Sequence, residues 1–87
     1  MKLPLNYAIL LYFTKHEEGN ADLIIEELRT DYEKYRAFKR PAVVESLMTS
    51  KENGILEEVR TELAEEDVLR VWYRLTDYGT KLIQKFL

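Results

Sequence analysis

The 87-residue sequence contains no cysteine and only one histidine, His16. Without cysteine, the chain can form no disulfide, no catalytic thiol and no thiolate metal site. His16 stands beside Glu17 and Glu18, and because a metal site needs more convergent ligands than this, a surface position is expected for the imidazole. No apolar run approaches the length of a membrane span. Residues 1–4 lack the apolar stretch and cleavage site of a signal peptide, which predicts a cytoplasmic protein.

The residue groups that would indicate catalysis are also missing. Ser46, Thr49 and Ser50 have no histidine partner, so they form no nucleophilic site. The paired glutamates at 57–58 and 65–66 fall in predicted strand and hairpin-tip positions, where solvated carboxylates suit no acid–base role. We therefore predict a protein that is not an enzyme and that holds neither a metal nor another cofactor.

The composition is that of a small folded domain with unevenly distributed charge. Hydrophobic residues make up 46% of the chain, and no repeat, low-complexity tract or linker divides it, so residues 1–87 are expected to form a single domain. A net charge of −3 argues against indiscriminate binding to nucleic acid. Residues 29–40 nevertheless contain five basic and two acidic side chains, whereas residues 55–67 contain one basic and six acidic ones. The middle of the chain is therefore basic and the following segment acidic.

The first predicted helix runs from Leu5 to about His16, after a proline at a position that a helix start tolerates. Its middle, Tyr7–Phe13, is apolar on every face, whereas a surface helix normally has one apolar stripe. Two interpretations are open. The helix is buried centrally in its own domain, or one face packs inside while another meets a second subunit.

Two further helices are predicted before the acidic segment. The second, capped by Asn20 or Asp22, either runs to about Tyr35 or breaks near Thr30. The third lies within Pro41–Gly54, with proline in its first turn and glycine just past its end. Helical spacing gives the third helix an inner face of Val44, Leu47, Met48 and Lys51. It gives an outward face of Glu45, Ser46, Thr49 and Glu52.

A β-hairpin and a closing helix are predicted in the second half. Strand patterns cover residues 55–62 and 68–75, and the acidic residues 65–67 form the tip between them. Charge pairing predicts the register, with three opposed pairs: Glu62–Arg70, Arg60–Trp72 and Glu58–Arg74. Thr76 then caps a last helix, and Gly79 lets that helix lie close to the strand. The α+β fold class, mainly α, is thus a winged helix-turn-helix: three helices, a two-stranded wing and a C-terminal helix.

Two segments of this hairpin carry a family resemblance. Asn53-Gly54-Ile55-Leu56-Glu57 resembles the entry into the wing of bacterial PadR-like regulators, and more loosely of MarR-like ones, with asparagine in place of their acidic residue. Tyr73-Arg74-Leu75-Thr76-Asp77-Tyr78-Gly79 resembles the exit from that wing. Regulators of the PadR type usually continue into a further C-terminal helical region. The resemblance implies a small transcriptional regulator that binds double-stranded DNA as a homodimer.

The resemblance also implies which residues meet DNA. The third helix would enter the major groove, with outward residues facing the bases: Ser46, Thr49 and Ser50. The basic run before and at its start would meet phosphates: Lys34, Arg36, Lys39 and Arg40. An alternative interpretation of that run is a solvated face balanced by Asp31 and Glu33. The apolar first and last helices predict the dimer contacts, namely Leu3, Tyr7, Leu11, Ile83, Phe86 and Leu87.

Acidic residues in the predicted DNA-reading elements support a second hypothesis. The wing tip carries Glu65, Glu66 and Asp67, where a DNA-contacting wing usually carries lysine or arginine, and the third helix is flanked by glutamates. A winged helix can also serve as a protein-interaction module that does not bind DNA. The stripe Arg70, Trp72 and Arg74 is either a binding surface or the outer face of the hairpin, neutralised by glutamates. Because a large aromatic side chain is rarely left exposed to water, we expect another group to cover Trp72 on this face.

Overall fold

The computed structural model describes residues 3–36 and 38–86, without the side chain of Glu66. It contains four helices and one two-stranded antiparallel sheet. The elements in chain order are α1 (Leu5–Lys15), α2 (Ala21–Tyr32), α3 (Arg40–Glu52), β1 (Leu56–Leu63), β2 (Leu69–Leu75) and α4 (Asp77–Phe86), with a 3-10 turn at Glu65–Asp67 between the strands. The predicted winged-helix order and the α+β class are confirmed. None of the helices in the described residues is long and apolar enough to cross a membrane.

The second helix is continuous past Thr30 and ends at Tyr32, before the predicted limit at Tyr35. It begins with a side-chain cap, because Oδ1 of Asn20 accepts a hydrogen bond from the backbone N–H of Leu23 at 2.9 Å. This bond satisfies one of the backbone donors that the first turn of a helix leaves without a partner. Residues 33–39 therefore form the whole connection between α2 and α3.

We expect Asn20→Ala to lower the free energy of unfolding by about 1 kcal/mol, since it removes the cap acceptor. Asn20→Ser, which differs from the alanine variant by one hydroxyl group, should retain most of the stability because serine is also a good cap. Urea denaturation of the three proteins measures the difference. Equal stability of the serine and alanine variants would show that the cap contributes nothing.

The core lies where the three N-terminal helices meet the start of the hairpin. Its most deeply buried large side chains are contributed by α1, α2, α3 and β1: Ile9, Ile24, Val43, Leu47 and Leu56. Tyr73 of β2 joins the same cluster and packs beside them. The hairpin is therefore anchored to the helices at its base, while its tip extends beyond the core.

The hairpin register agrees with two of the three predicted pairs. Glu62 faces Arg70 and Arg60 faces Trp72, but Arg74 faces Glu57 rather than Glu58 because a β-bulge lies between Glu58 and Arg60. The physical reason is the burial of Leu56, which is 1% exposed. With regular alternation, Arg60 on the outer face would place Leu56 on the outer face as well. The extra residue of the bulge reverses the alternation and turns Leu56 into the core.

The start of α4 packs against Ile55, the residue that precedes β1. This close contact agrees with the prediction made from Thr76 and Gly79. The Oγ1 atom of Thr76 accepts a hydrogen bond from the backbone N–H of Gly79 at 2.9 Å, and the Thr76 N–H donates to the carbonyl oxygen of Ile55 at 3.0 Å. A Cβ atom placed on Gly79 would lie 2.1 Å from that same carbonyl oxygen. Only glycine therefore fits this approach of α4 to the hairpin.

Candidate nucleic-acid interface

The connection between α2 and α3 carries three closely spaced cations that are not neutralised by an ion pair. Lys34, Arg36 and Lys39 are all exposed, and none forms an ion pair with another described residue. Asp31 and Glu33, proposed above as their balance, are not within ion-pair distance of them. Lys39 is also the N-cap residue of α3, whose first turn contains no acidic side chain. Positive charge is thus concentrated at the positive end of the helix dipole.

Aromatic rings fix the path of this connection. The ring of Tyr32 lies 5.5 Å from that of Tyr35 and 6.2 Å from that of Phe38, measured between centroids. Backbone hydrogen bonds join the same residues, from the Tyr35 N–H to the Tyr32 carbonyl at 2.9 Å and from the Phe38 N–H to the Tyr35 carbonyl at 3.0 Å. The aromatic residues between the cations are therefore structural: they hold the segment in place.

Arg40 differs from the other predicted phosphate-contacting residues because it already has a partner. Its Nε donates to Oδ1 of Asp22 at 3.1 Å, and Oδ2 of the same carboxylate accepts from Nε of Arg70 at 3.3 Å. One aspartate on α2 thus joins the start of α3 to the wing. This contact was missed from the sequence, where Asp22 appeared only as a possible helix cap.

The orientation of α3 differs from the prediction at three residues, one of which is Lys51, placed on the inner face but exposed. Its buried residues are Val43, Leu47 and Ser50, so Ser50 faces the core and not the outward surface assigned to it. Met48, placed on the inner face, is 50% exposed. The predicted face was rotated, because helical spacing alone does not say which of two overlapping stripes packs inward. Of the predicted base-contacting residues, Thr49 is exposed and Ser46 is half-buried.

The outer face of the wing is neutralised, as one of the two interpretations of the Arg70–Trp72–Arg74 stripe predicted. Arg74 pairs with Glu57 at 2.6 Å, and Arg70 lies 3.4 Å from Glu62. Glu58, predicted to take part, binds Lys51 instead. These arginines are therefore not free cations.

The side chain of Trp72 is covered by neighbouring side chains, as expected for an aromatic ring on the outer face. The guanidinium carbon of Arg60 lies 4.2 Å from the centroid of the indole, a cation–π contact, and Arg60 also pairs with Glu18. The indole N–H donates to the carboxylate of Glu62 at 2.9 Å, and this bond lowers the pKa of that carboxyl group. The ring is half-buried and hydrogen-bonded, which accounts for its place on the outer face.

The double contact of Asp22 predicts a pH-dependent contribution to stability. The hydrogen bond from Arg40 and the charges of Arg40 and Arg70 lower the pKa of Asp22 in the folded protein, although partial burial opposes them. A carboxyl group with a depressed folded pKa contributes stability above its unfolded pKa of about 4, and this contribution is lost as the pH falls through the folded value.

Asp22→Asn should therefore reduce stability near neutral pH, and the difference from the native protein should shrink below about pH 4. The groups are partly exposed, so the effect is that of a surface ion pair and below about 1 kcal/mol per pair. Urea denaturation across this pH range measures it. A difference that stays constant with pH would contradict the ion-pair explanation.

The residues predicted to form a dimer differ in exposure. Tyr7 and Phe86 are 49% and 69% exposed, Leu3 is 41% exposed and Leu11 is half-buried. Ile83 is buried against its own chain at 6% exposure, so little of its side chain is available to a partner subunit. Leu87 lies outside the described residues. One face of α1 is buried, while Tyr7 on another face is exposed, so this helix is not buried on every side.

The described residues contain no cluster of three or more histidine or acidic side chains that could hold a metal ion. His16 lies half-buried near the surface, with its Nε2 2.8 Å from a carboxylate oxygen of Glu27 and its ring stacked on Tyr12 at 4.2 Å. These two contacts give the side chain of His16 a structural role.

Comparison with solved structures finds the same fold in several transcriptional regulators. Bacillus subtilis PadR, solved in complex with operator DNA, aligns with a TM-score of 0.75 at 22% identity over 94% of this chain and 45% of that chain. A PadR-like transcriptional regulator from Bacillus cereus gives a TM-score of 0.69 at 17% identity, covering 94% and 76% of the two chains. A transcriptional regulator from Clostridium thermocellum gives 0.70 at 18% identity, covering 93% and 76%.

These likenesses establish the fold and confirm the predicted resemblance to PadR-like regulators at that level. The chain spans less than half the length of the B. subtilis protein. No protein-family model matches the sequence, and no curated protein matches it either.

Proposed function

We propose that the protein is a cytoplasmic, non-enzymatic transcriptional regulator that binds double-stranded DNA as a homodimer. The observation that carries this proposal is the exposed cluster of Lys34, Arg36 and Lys39, unpaired in the described residues and placed at the start of α3. A winged helix of the same architecture has been solved on operator DNA. Cations beside a helix N-terminus are well suited to phosphate oxygens.

The α3 helix is the element proposed to face the bases. Thr49 is exposed on it and Ser46 is half-buried beside it, and their hydroxyl groups can donate to or accept from base edges. Ser50 is buried, so we propose that it packs between α3 and the core and does not contact a base. The body of α3 offers the bases two hydroxyl groups and no outward arginine or asparagine. Most of the affinity would therefore come from phosphate contacts.

The wing tip is not expected to enter a DNA groove. Glu65 and Asp67 are exposed there, and carboxylates close to phosphates are repelled at low salt. The proposed contact therefore consists of the α2–α3 connection and α3, with Arg40 available only when it leaves Asp22. A small contact of this kind predicts modest affinity with a strong dependence on salt.

The proposed homodimer uses exposed apolar side chains of the first and last helices. Tyr7 on α1 and Phe86 on α4 are the most exposed of the predicted contacts, and Leu3 and Leu11 line a groove between α1 and α2. Sedimentation analysis tests the assembly: a dimer that Tyr7→Ser or Phe86→Ser weakens supports it. A protein that remains monomeric at high concentration would contradict the homodimer. DNA binding by a single subunit is a separate question, which the next experiment tests.

The DNA-binding proposal is tested with a fluorescent duplex of mixed sequence. Anisotropy titrations at several salt concentrations should give an affinity that falls as salt rises, with a slope of about 0.9 per phosphate contact in a double-logarithmic plot. Non-specific affinity alone should register at micromolar protein and low salt. Absence of salt-dependent binding under those conditions would contradict the proposed function.

A further inference from the structure

Apolar side chains are exposed on the inner face of the wing, beyond the edge of the core. Leu63 and Leu69 oppose each other in the hairpin and are 67% and 60% exposed. They lie on the same face as Val71 and the buried Tyr73, because the side chains of a strand alternate between faces. Met48 of α3 is 50% exposed, and it lines a groove together with Leu69 and Val71. We call Met48, Leu63, Leu69 and Val71 the wing-side apolar face.

The groove in this face has room for a side chain. It encloses about 130 Å³ between α3 and β2, with Leu47 and Tyr73 at its base. A cavity of about 150 Å³ lined by apolar groups accepts a benzene-sized molecule in another protein. Arg40 and Arg70 also line the groove, but their charges are directed to Asp22.

The surroundings of the wing-side apolar face are acidic. Glu45 and Glu52 lie one helical turn to either side of Met48, and Glu65 and Asp67 are exposed at the tip that adjoins Leu63 and Leu69. Among the described residues, no ion pair neutralises Glu45, Glu65 or Asp67. The surface therefore combines apolar contact area with carboxylates, three of which have no ion-pair partner among the described residues.

We propose that the wing-side apolar face binds a basic amphipathic helical segment of another protein. Such a segment places apolar side chains against Met48 and Leu69, while its lysine or arginine residues face the surrounding carboxylates. Nucleic acid fits this surface poorly, because Glu65 and Asp67 at the adjoining tip repel phosphates and the apolar side chains offer no hydrogen bonds. A second copy of the chain in a symmetric contact would place like charges opposite each other.

The test uses a fluorescent synthetic peptide made only of leucine and lysine, with leucines at helical spacing along one face. A peptide of the same composition in scrambled order is the control for charge alone. At physiological ionic strength, about 0.15 M, the amphipathic peptide should bind more tightly than the scrambled one. Leu69→Ser should weaken its binding about tenfold or more, since a leucine contact is lost at the centre of the face. Equal binding of the two peptides would overturn the proposal.

Tyr78→Ser is the matched control, because it removes a similarly exposed aromatic side chain from α4, away from the tip of the wing. It should leave peptide affinity unchanged; equal losses in Leu69→Ser and Tyr78→Ser would overturn the proposal. Since Leu69 is exposed, its replacement should leave the fold intact, which thermal unfolding verifies. Self-association or duplex binding that depends on Leu69, in place of peptide binding, would assign the face to a second copy or to DNA and would also overturn it.

Discussion

Replacing Gly79 with alanine is expected to lower the free energy of unfolding by about 2–4 kcal/mol. The new Cβ atom would lie 2.1 Å from the carbonyl oxygen of Ile55 and 3.0 Å from its carbonyl carbon. Because both are backbone atoms, no side-chain rotation relieves the clash, and α4 must move away from the hairpin. That movement strains the hydrogen bond between the Thr76 N–H and the same oxygen.

The sign of this effect is opposite to the one that helix propensity predicts. Alanine in a helix is about 1 kcal/mol more favourable than glycine, so a glycine in a helix without a close neighbour would be stabilised by the change. Thermal or urea unfolding of Gly79→Ala therefore separates the two cases. A variant as stable as the native protein, or more stable, would show that α4 is not seated against Ile55.

Gly54 provides the matched control for Gly79. It adopts a positive φ of 79°, but a Cβ atom there would lie 4.0 Å from its nearest neighbour, the ring of Tyr78. Gly54→Ala should therefore cost only the backbone term of about 1–2 kcal/mol. Gly54→Asn should cost less, since asparagine tolerates this conformation. A larger loss in Gly54→Ala than in Gly79→Ala would contradict the geometry described for the two glycines.

Neutralising the three cations of the α2–α3 connection is expected to have the largest effect on DNA binding. The triple variant Lys34→Gln, Arg36→Gln and Lys39→Gln removes up to three phosphate contacts from each protomer. At about 0.9 per contact, the slope of the logarithm of affinity against the logarithm of salt should fall by up to about 2.7 per protomer. Affinity for a mixed-sequence duplex at low salt should fall about 10- to 100-fold. Anisotropy titrations measure both quantities.

A second triple variant controls for net charge. Lys15→Gln, Lys81→Gln and Lys85→Gln make the same change in charge at exposed positions on α1 and α4. If DNA binds at the start of α3, this variant should keep most of the native affinity and slope. Equal losses in the two variants would show that DNA responds only to total charge, and that no site exists between α2 and α3.

Much of the fold could be predicted from sequence because its signals are local. The proline and glycine that bracket α3, the threonine cap of α4 and the alternating pattern of β2 each depend on residues within one turn or one strand. The sequence predicts a close approach at Gly79, and the structure places this residue against Ile55.

The errors arose where the outcome depends on contacts distant in sequence. The bulge between Glu58 and Arg60 exists because Leu56 is drawn into a core made mostly by helices. The rotation of α3, which buries Ser50 and exposes Met48, depends on the elements that pack against it. For the candidate site, Lys34, Arg36 and Lys39 lie on the connection before α3 and their contact with phosphates stays a prediction, while the partner of Arg40 lies 18 residues away in sequence. No local pattern indicates such a pair.

The most direct test of the proposed interface is an NMR titration of isotope-labelled protein with a short duplex. The account predicts that the amide signals of Lys34, Arg36, Lys39 and Thr49 shift, with smaller changes at the wing tip and at the end of α4. Raising the salt concentration should reverse the shifts. Shifts centred on the wing tip or on Phe86, or no shifts at micromolar duplex and low salt, would contradict it.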